Sequence, residues 1–258
     1  MLVEFLGPSG AGKSTICTQL LGAHSRDLVV GSDACYETLR ITSPKSNLLK
    51  TWFATAMARH QAKKTGDRQL FKTFGISDDC VELCNFVFDN FRVSPEFPEL
   101  YFERLRRFQS VVAQYSAICS YQDARSWPVI FDEFFAQKCL AMSFYVDDRQ
   151  DFIAGFTQRM PKADLYVYVE SPFELLRQRI IERGRNAREV REHDMALTIP
   201  RMILDALSAL DANILSIDGT RPVSENVERL TAALGAGTRG TALSHESPVG
   251  AHVPADLK

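Results

Sequence analysis

Apolar residues gather in five short runs, each too brief for a helix and each stopped by a turn-forming or acidic residue. Residues 2–6 read LVEFL and break into GPSGAGKST. LVV at 28–30 stops at Gly31-Ser32-Asp33, and PVIF at 128–131 stops at Asp132-Glu133. ADLYVYVES at 163–171 is followed by Pro172, and NILSID at 213–218 ends at Gly219. Between the runs the spacing turns helical, as in ICTQLLGAH behind the first. About ninety residues separate the second and third runs, too many for a loop, and they carry LLKTWFATAMARHQAKK and ELYFERLRRFQSVVAQYSAICSY. Short strands alternating with helices predict an α/β doubly wound sheet, whose ligands lie beyond the carboxyl ends of the strands.

The same pattern sets the expected organisation: one domain over 1–234, with a helical insertion at 36–127 and an arginine-rich lid region at 172–200. After Leu234 periodicity is lost in a Gly-, Ser-, Pro- and Ala-rich stretch, which predicts a disordered tail over 235–258. The insertion concentrates aromatic residues (Phe86, Phe88, Phe91, Phe97, Tyr101, Phe102, Phe108), which read as helix core or as the lining of an apolar pocket.

Composition changes this picture little. A formal net charge of -2 offers no footprint for a polyanion, so nucleic acid is not an expected partner. No apolar run approaches the roughly 20 residues of a membrane span. The six cysteines form no CxxC pair and no leader precedes them, which predicts reduced thiols in a cytoplasmic protein. Cys80 and Cys84, four apart, would share a helix face, where apolar packing is expected over metal binding for want of two further ligands.

The chemistry is concentrated at the strand ends. GxxxxGK[ST] fits Gly7, Gly12, Lys13 and Ser14 in the strand-loop-helix context that a P-loop requires. Over Gly7, Pro8, Ser9, Gly10, Ala11, Gly12, Lys13, Ser14 and Thr15 the backbone N–H groups would face the phosphates of a nucleoside triphosphate. Lys13 would neutralise the β and γ phosphates, and Ser14 would give its hydroxyl to Mg2+. PVIFDE has the form of a Walker B strand, with Asp132 as the second magnesium ligand. Glu133 either orients or deprotonates a nucleophile, or caps the helix that follows. Asp33 reads as a general base for an acceptor hydroxyl or as a helix N-cap. In LLRQRIIERGRNAR the arginines Arg177, Arg179, Arg183, Arg185 and Arg188 cluster, with Arg179 and Arg183 one turn apart on a helix face. They suit a lid that meets the charge of a transferring phosphoryl group, or else a solvated basic face.

SPFELLRQRIIERGRN behind DLYVYVE resembles the lid of the thymidylate kinase and deoxynucleoside kinase group, with its RxxxR pattern on Arg179 and Arg183, and ILSIDGTRPVSENVERL resembles the last strand and helix of thymidylate kinases. The resemblance covers roughly residues 1–35 and 128–234. It implies a three-layer P-loop fold with a five-stranded parallel sheet in the order 2-3-1-4-5, ATP as donor, Mg2+, and often a homodimer. One departure matters. These families carry an acid-Arg pair at the end of the third strand, and here the positions are Asp132-Glu133, so the substrate-contacting arginine is missing. A glutamate repels an acceptor phosphate, which disfavours a monophosphate acceptor unless Arg59, Arg104, Arg106 or Arg107 replaces the charge.

The expectation is therefore an ATP-dependent small-molecule kinase acting on a hydroxyl acceptor, a nucleoside or related compound. Lys13, Asp33, Glu133, Arg179 and Arg183 would be catalytic, and Ser14 and Asp132 would hold the metal. A thymidylate kinase-like nucleoside monophosphate kinase and a regulatory P-loop ATPase are the alternatives.

Overall fold

The computed structural model describes residues 1–24, 28–31, 35, 75–92, 98–122, 128–182 and 193–241. Five strands, β1 (Leu2–Leu6), β2 (Val29–Val30), β3 (Val129–Phe131), β4 (Leu165–Glu170) and β5 (Ile214–Asp218), coincide with the five apolar runs to within a residue or two at each end. They form one sheet in the order β2-β3-β1-β4-β5, the expected arrangement. Every pairing is parallel: β1 aligns Val3 with Ile130 on β3 and Phe5 with Val167 on β4.

The inner strands β1, β3 and β4 bury both faces, because the connections of a parallel sheet return along helices that cover them. The period of two therefore splits β1 between two cores. Val3 and Phe5 meet helix α1 (Lys13–Ala23), through Ile16 and Leu20, and the C-terminal helix, Val223–Thr241, through Leu230 and Leu234. Leu2 and Leu6 meet the opposite layer. This layer is built from α2 (Asp78–Asn90), α3 (Pro98–Gln122), α4 (Phe135–Ser143), α5 (Arg149–Arg159) and, beyond α6 (Phe173–Glu182), α7 (His193–Ser208). The C-terminal helix is α8.

Both described helices of the insertion sit in this layer and supply core. Phe91 and Phe108 are fully buried, Phe86 and Tyr101 pack partly against them, and Phe88 and Phe102 face outward. Phe91 stacks on Tyr101 and meets Phe152 of α5, and Phe108 meets Phe156 edge-on. The described aromatics thus pack helices together and line neither of the cavities described below. Cys80 and Cys84 are buried side by side on α2. Phe97 and the LLKTWFATAMARHQAKK segment lie outside the described residues.

Two boundaries differ from expectation. Residues 193–200 open α7, whose Ile199, Ile203 and Leu207 are in the core, so this part of the expected lid region is a packed helix. Its apolar spacing continues past Pro200, and a proline-interrupted pattern reads as two segments. Helix α8 runs on to Thr241, seven residues into the expected tail, through a stretch of Gly, Ala and Thr that has helical backbone without an amphipathic signal. Residues 242–258 lie outside the described residues. No helix among the described residues is long and apolar enough to cross a membrane.

Candidate active site

The loop after β1 has the backbone of a phosphate cradle. Gly7, Gly10 and Gly12 all have positive φ. At Gly7 (φ 146°) a Cβ would lie 2.6 Å from the Val169 carbonyl oxygen of neighbouring β4, so only glycine lets the loop leave the sheet there. Gly12 (φ 102°) is the N-cap of α1, makes no side-chain cap, and is followed by a first turn without acidic residues. A helix start of this kind presents N–H groups and the positive end of the helix dipole to an anion. Lys13 is buried and donates from Nζ to the Gly7 and Pro8 carbonyls, at 2.6 and 2.9 Å. These bonds hold its charge at the loop.

Beside this loop, β3 delivers Asp132 and Glu133, both exposed. Ser14 and Asp132 are exposed oxygen donors with no hydrogen-bond partner among the described residues. A hydroxyl and a carboxylate are the hard ligands that magnesium takes together with water and phosphate oxygens, so the residues present fit the ion. Glu133 takes a salt bridge from Lys138 at 2.8 Å. Burial pushes its carboxyl up, but Lys138, Lys13 and Arg107 outweigh that and hold it below the usual carboxylate range. A carboxylate so held is a weak proton acceptor and suits orienting a substrate. Glu133 does not cap the next helix either: the N-cap of α4 is Phe134, with no side-chain cap of its own.

The cap comes instead from inside the sheet. Glu4, on the same face of β1 as Leu2 and Leu6, is 1% exposed, and its Oε1 accepts the Gln137 N–H at 3.0 Å. Gln137, also buried, accepts the Gly7 N–H on its own Oε1 at 3.3 Å. A continuous link thus runs from the core strand through α4 to the first glycine of the P-loop. Sequence reading passed over Glu4, Gln137 and Lys138. The signal for Glu4 was there, a lone acid at a core-facing position of a strand that buries both faces.

Arg179 lies on α6 and donates to the Gly10 carbonyl at 3.0 Å and to the Gly219 carbonyl at 3.3 Å. It thereby ties the P-loop to the loop after β5, whose Gly219 N–H donates to the Glu170 carbonyl at 2.7 Å. These residues wall a cavity of about 230 Å3 bounded by Gly12, Thr15, Arg179, Thr220 and Asn226. The Oδ1 of Asn226 is buried there without a hydrogen-bond partner. A second, smaller cavity of about 80 Å3 lies between α3 and α4, around Glu133 and Gln137, with Arg104, Arg107 and Lys138 in its wall. Two of the arginines named above as replacements for the missing acceptor charge are therefore beside Glu133. Arg106 is exposed on α3. Asp33, Arg59, Arg183, Arg185 and Arg188 lie outside the described residues. Gly31, two residues before Asp33, packs against the Phe131 ring at the same sheet edge. Arg177 is exposed.

A parallel sheet in this order, with a phosphate loop behind its central strand and an acid pair behind the next, defines a P-loop kinase fold. The model of a family described as an AAA domain matches residues 2–198, and the chain belongs to that family. No curated protein matches it. Among solved structures it resembles the deoxyadenosine kinase of M. mycoides with dCMP and dCDP, at 13% identity and a TM-score of 0.50, covering 92% of this chain and 100% of that one. It also resembles the same enzyme with dCTP, at 14% identity, a TM-score of 0.49 and the same coverage. At such identity the likeness establishes the shared fold.

Proposed function

We propose that this protein is an ATP-dependent phosphotransferase that moves the γ-phosphoryl group to a hydroxyl of a small acceptor, a nucleoside or related compound. The observation that carries the reading is the pairing of a buried Lys13 in a positive-φ glycine loop with the Asp132-Glu133 strand end next to it. The deoxyadenosine kinase neighbours support nucleosides as the acceptor class.

The P-loop N–H groups would receive the phosphate chain, and Lys13 would swing from the Gly7 and Pro8 carbonyls onto the β and γ phosphates. Ser14 and Asp132 would hold Mg2+, which neutralises charge on the transferring group. The donor's nucleoside end suits the larger cavity, against Arg179 and the loop after β5. Asp33, just beyond β2, is the proposed base for the acceptor hydroxyl, and Arg183 the proposed second lid arginine. Glu133, held ionised by Lys138, is proposed to orient the acceptor. Catalysis of this kind is positioning and charge stabilisation.

The test is ADP release from Mg-ATP with and without a panel of hydroxyl acceptors. Strong acceptor dependence, lost at least about 100-fold in Lys13→Ala with the fold intact, is the expected result. Hydrolysis that ignores every acceptor would favour a regulatory ATPase instead.

A further inference from the structure

The smaller cavity is lined by a cation that has no carboxylate partner among the described residues. Arg107 pairs with Glu103 one turn earlier on α3, and Lys138 with Glu133. Arg104 pairs with no carboxylate among the described residues. Its guanidinium donates to the Tyr145 hydroxyl at 3.1 Å and lies 5.0 Å over that ring, and its Nε is buried without a hydrogen-bond partner. Arg104 is part of the cavity wall, and a guanidinium fork matches the oxygens of a phosphate or carboxylate. The cavity of about 80 Å3 suits a compact group better than a ring. It also adjoins the chemistry: Gln137 in its wall holds the Gly7 N–H, and the charge of Lys13 is felt at Glu133.

We propose that this cavity receives an oxyanion of the acceptor, a phosphate ester or carboxylate, so that the acceptor is an anionic hydroxyl compound. The inference rests on the phosphotransferase reading and names its substrate class. In the transfer the acceptor hydroxyl oxygen bonds to the γ phosphorus as the bond to the β–γ bridging oxygen breaks. ADP leaves with the electron pair, and the hydroxyl proton is released to water. The oxyanion beside Arg104 undergoes no bond change; it anchors the acceptor, and the Arg104 charge offsets its repulsion from Glu133.

Two measurements on the full chain test this. With the P-loop filled by Mg2+ and a non-hydrolysable ATP analogue, inorganic phosphate is titrated by calorimetry against wild type, Arg104→Met and Arg104→Lys. Phosphate binding that weakens at least tenfold in Arg104→Met and recovers in part in Arg104→Lys is expected; no binding, or equal binding by all three proteins, overturns the proposal. In parallel, ADP release is compared for matched acceptors with and without an anionic group: nucleoside against nucleoside monophosphate, sugar against sugar phosphate, alcohol against hydroxy acid. Higher turnover of the anionic member of each pair is expected, with the phosphate and carboxylate pairs telling the two oxyanions apart. Better turnover of the neutral members overturns the proposal. If no acceptor is phosphorylated while Arg104-dependent phosphate binding persists, the kinase reading fails and the anion site stands.

Discussion

Replacing Glu4 by glutamine tests the least expected group in the molecule. Burial drives the Glu4 carboxyl up to about 8, against the N–H groups of Gln137, Ala136 and Phe134 and the charge of Lys138, which pull it down. Burial pushes the Tyr166 hydroxyl and the Cys139 thiol up, and the Glu4 carboxylate adds to both shifts. The folded state thus keeps a proton on Glu4 over a range where the unfolded chain, with an ordinary value of 4.5, has released it. Because the folded state binds more protons there, its stability is fully present below 4.5 and is lost as the pH rises through about 8. At about 1.4 kcal/mol per pH unit this separation is worth on the order of 5 kcal/mol. Glu4→Gln keeps an oxygen for the Gln137 N–H and removes the titration. In urea unfolding the variant should gain on wild type by about 3 kcal/mol between pH 5.5 and pH 9. A difference that stays flat over that range would refute the reasoning, since other carboxyls cancel in the comparison.

Gly7→Ala places a methyl group 2.6 Å from the Val169 carbonyl oxygen at a φ that side chains avoid; it should cost about 2–4 kcal/mol in urea unfolding and weaken nucleotide binding. Arg179→Met removes both links to the Gly10 and Gly219 carbonyls. It should raise the KM for ATP about tenfold in steady-state assays while leaving the acceptor KM within about twofold, since the arginine borders only the larger cavity.

How far the sequence could be read depended on the range of the signal. The P-loop is local: nine consecutive residues after an apolar run carry its glycines, lysine and hydroxyl, and the structure puts that backbone where the pattern places it. The strand runs were equally legible, because a parallel strand buried on both faces is apolar throughout. Strand order came from resemblance, for the runs themselves do not say which neighbours pair. Arg179 was legible as one of a cluster of arginines behind β4, but its bonds to two carbonyls depend on how close α6 comes to the P-loop. Arg104, Arg107 and Lys138 meet only because α3 and α4 pack together, and some thirty residues separate them in the chain. Glu4 was hidden by its company, since four apolar neighbours make one acid look incidental.

The Glu4–Gln137–Gly7 link bears on how such an enzyme could be retargeted. Gln137 accepts the Gly7 N–H of the P-loop and also lines the small cavity, while Arg104 and Arg107 hang from a separate helix. Substitutions on α3 can therefore change the wall of the small cavity without touching the hydrogen bond that Gln137 makes to the P-loop. The same freedom does not extend to α4, whose first turn is shared hardware; a library built to change substrate preference belongs on α3.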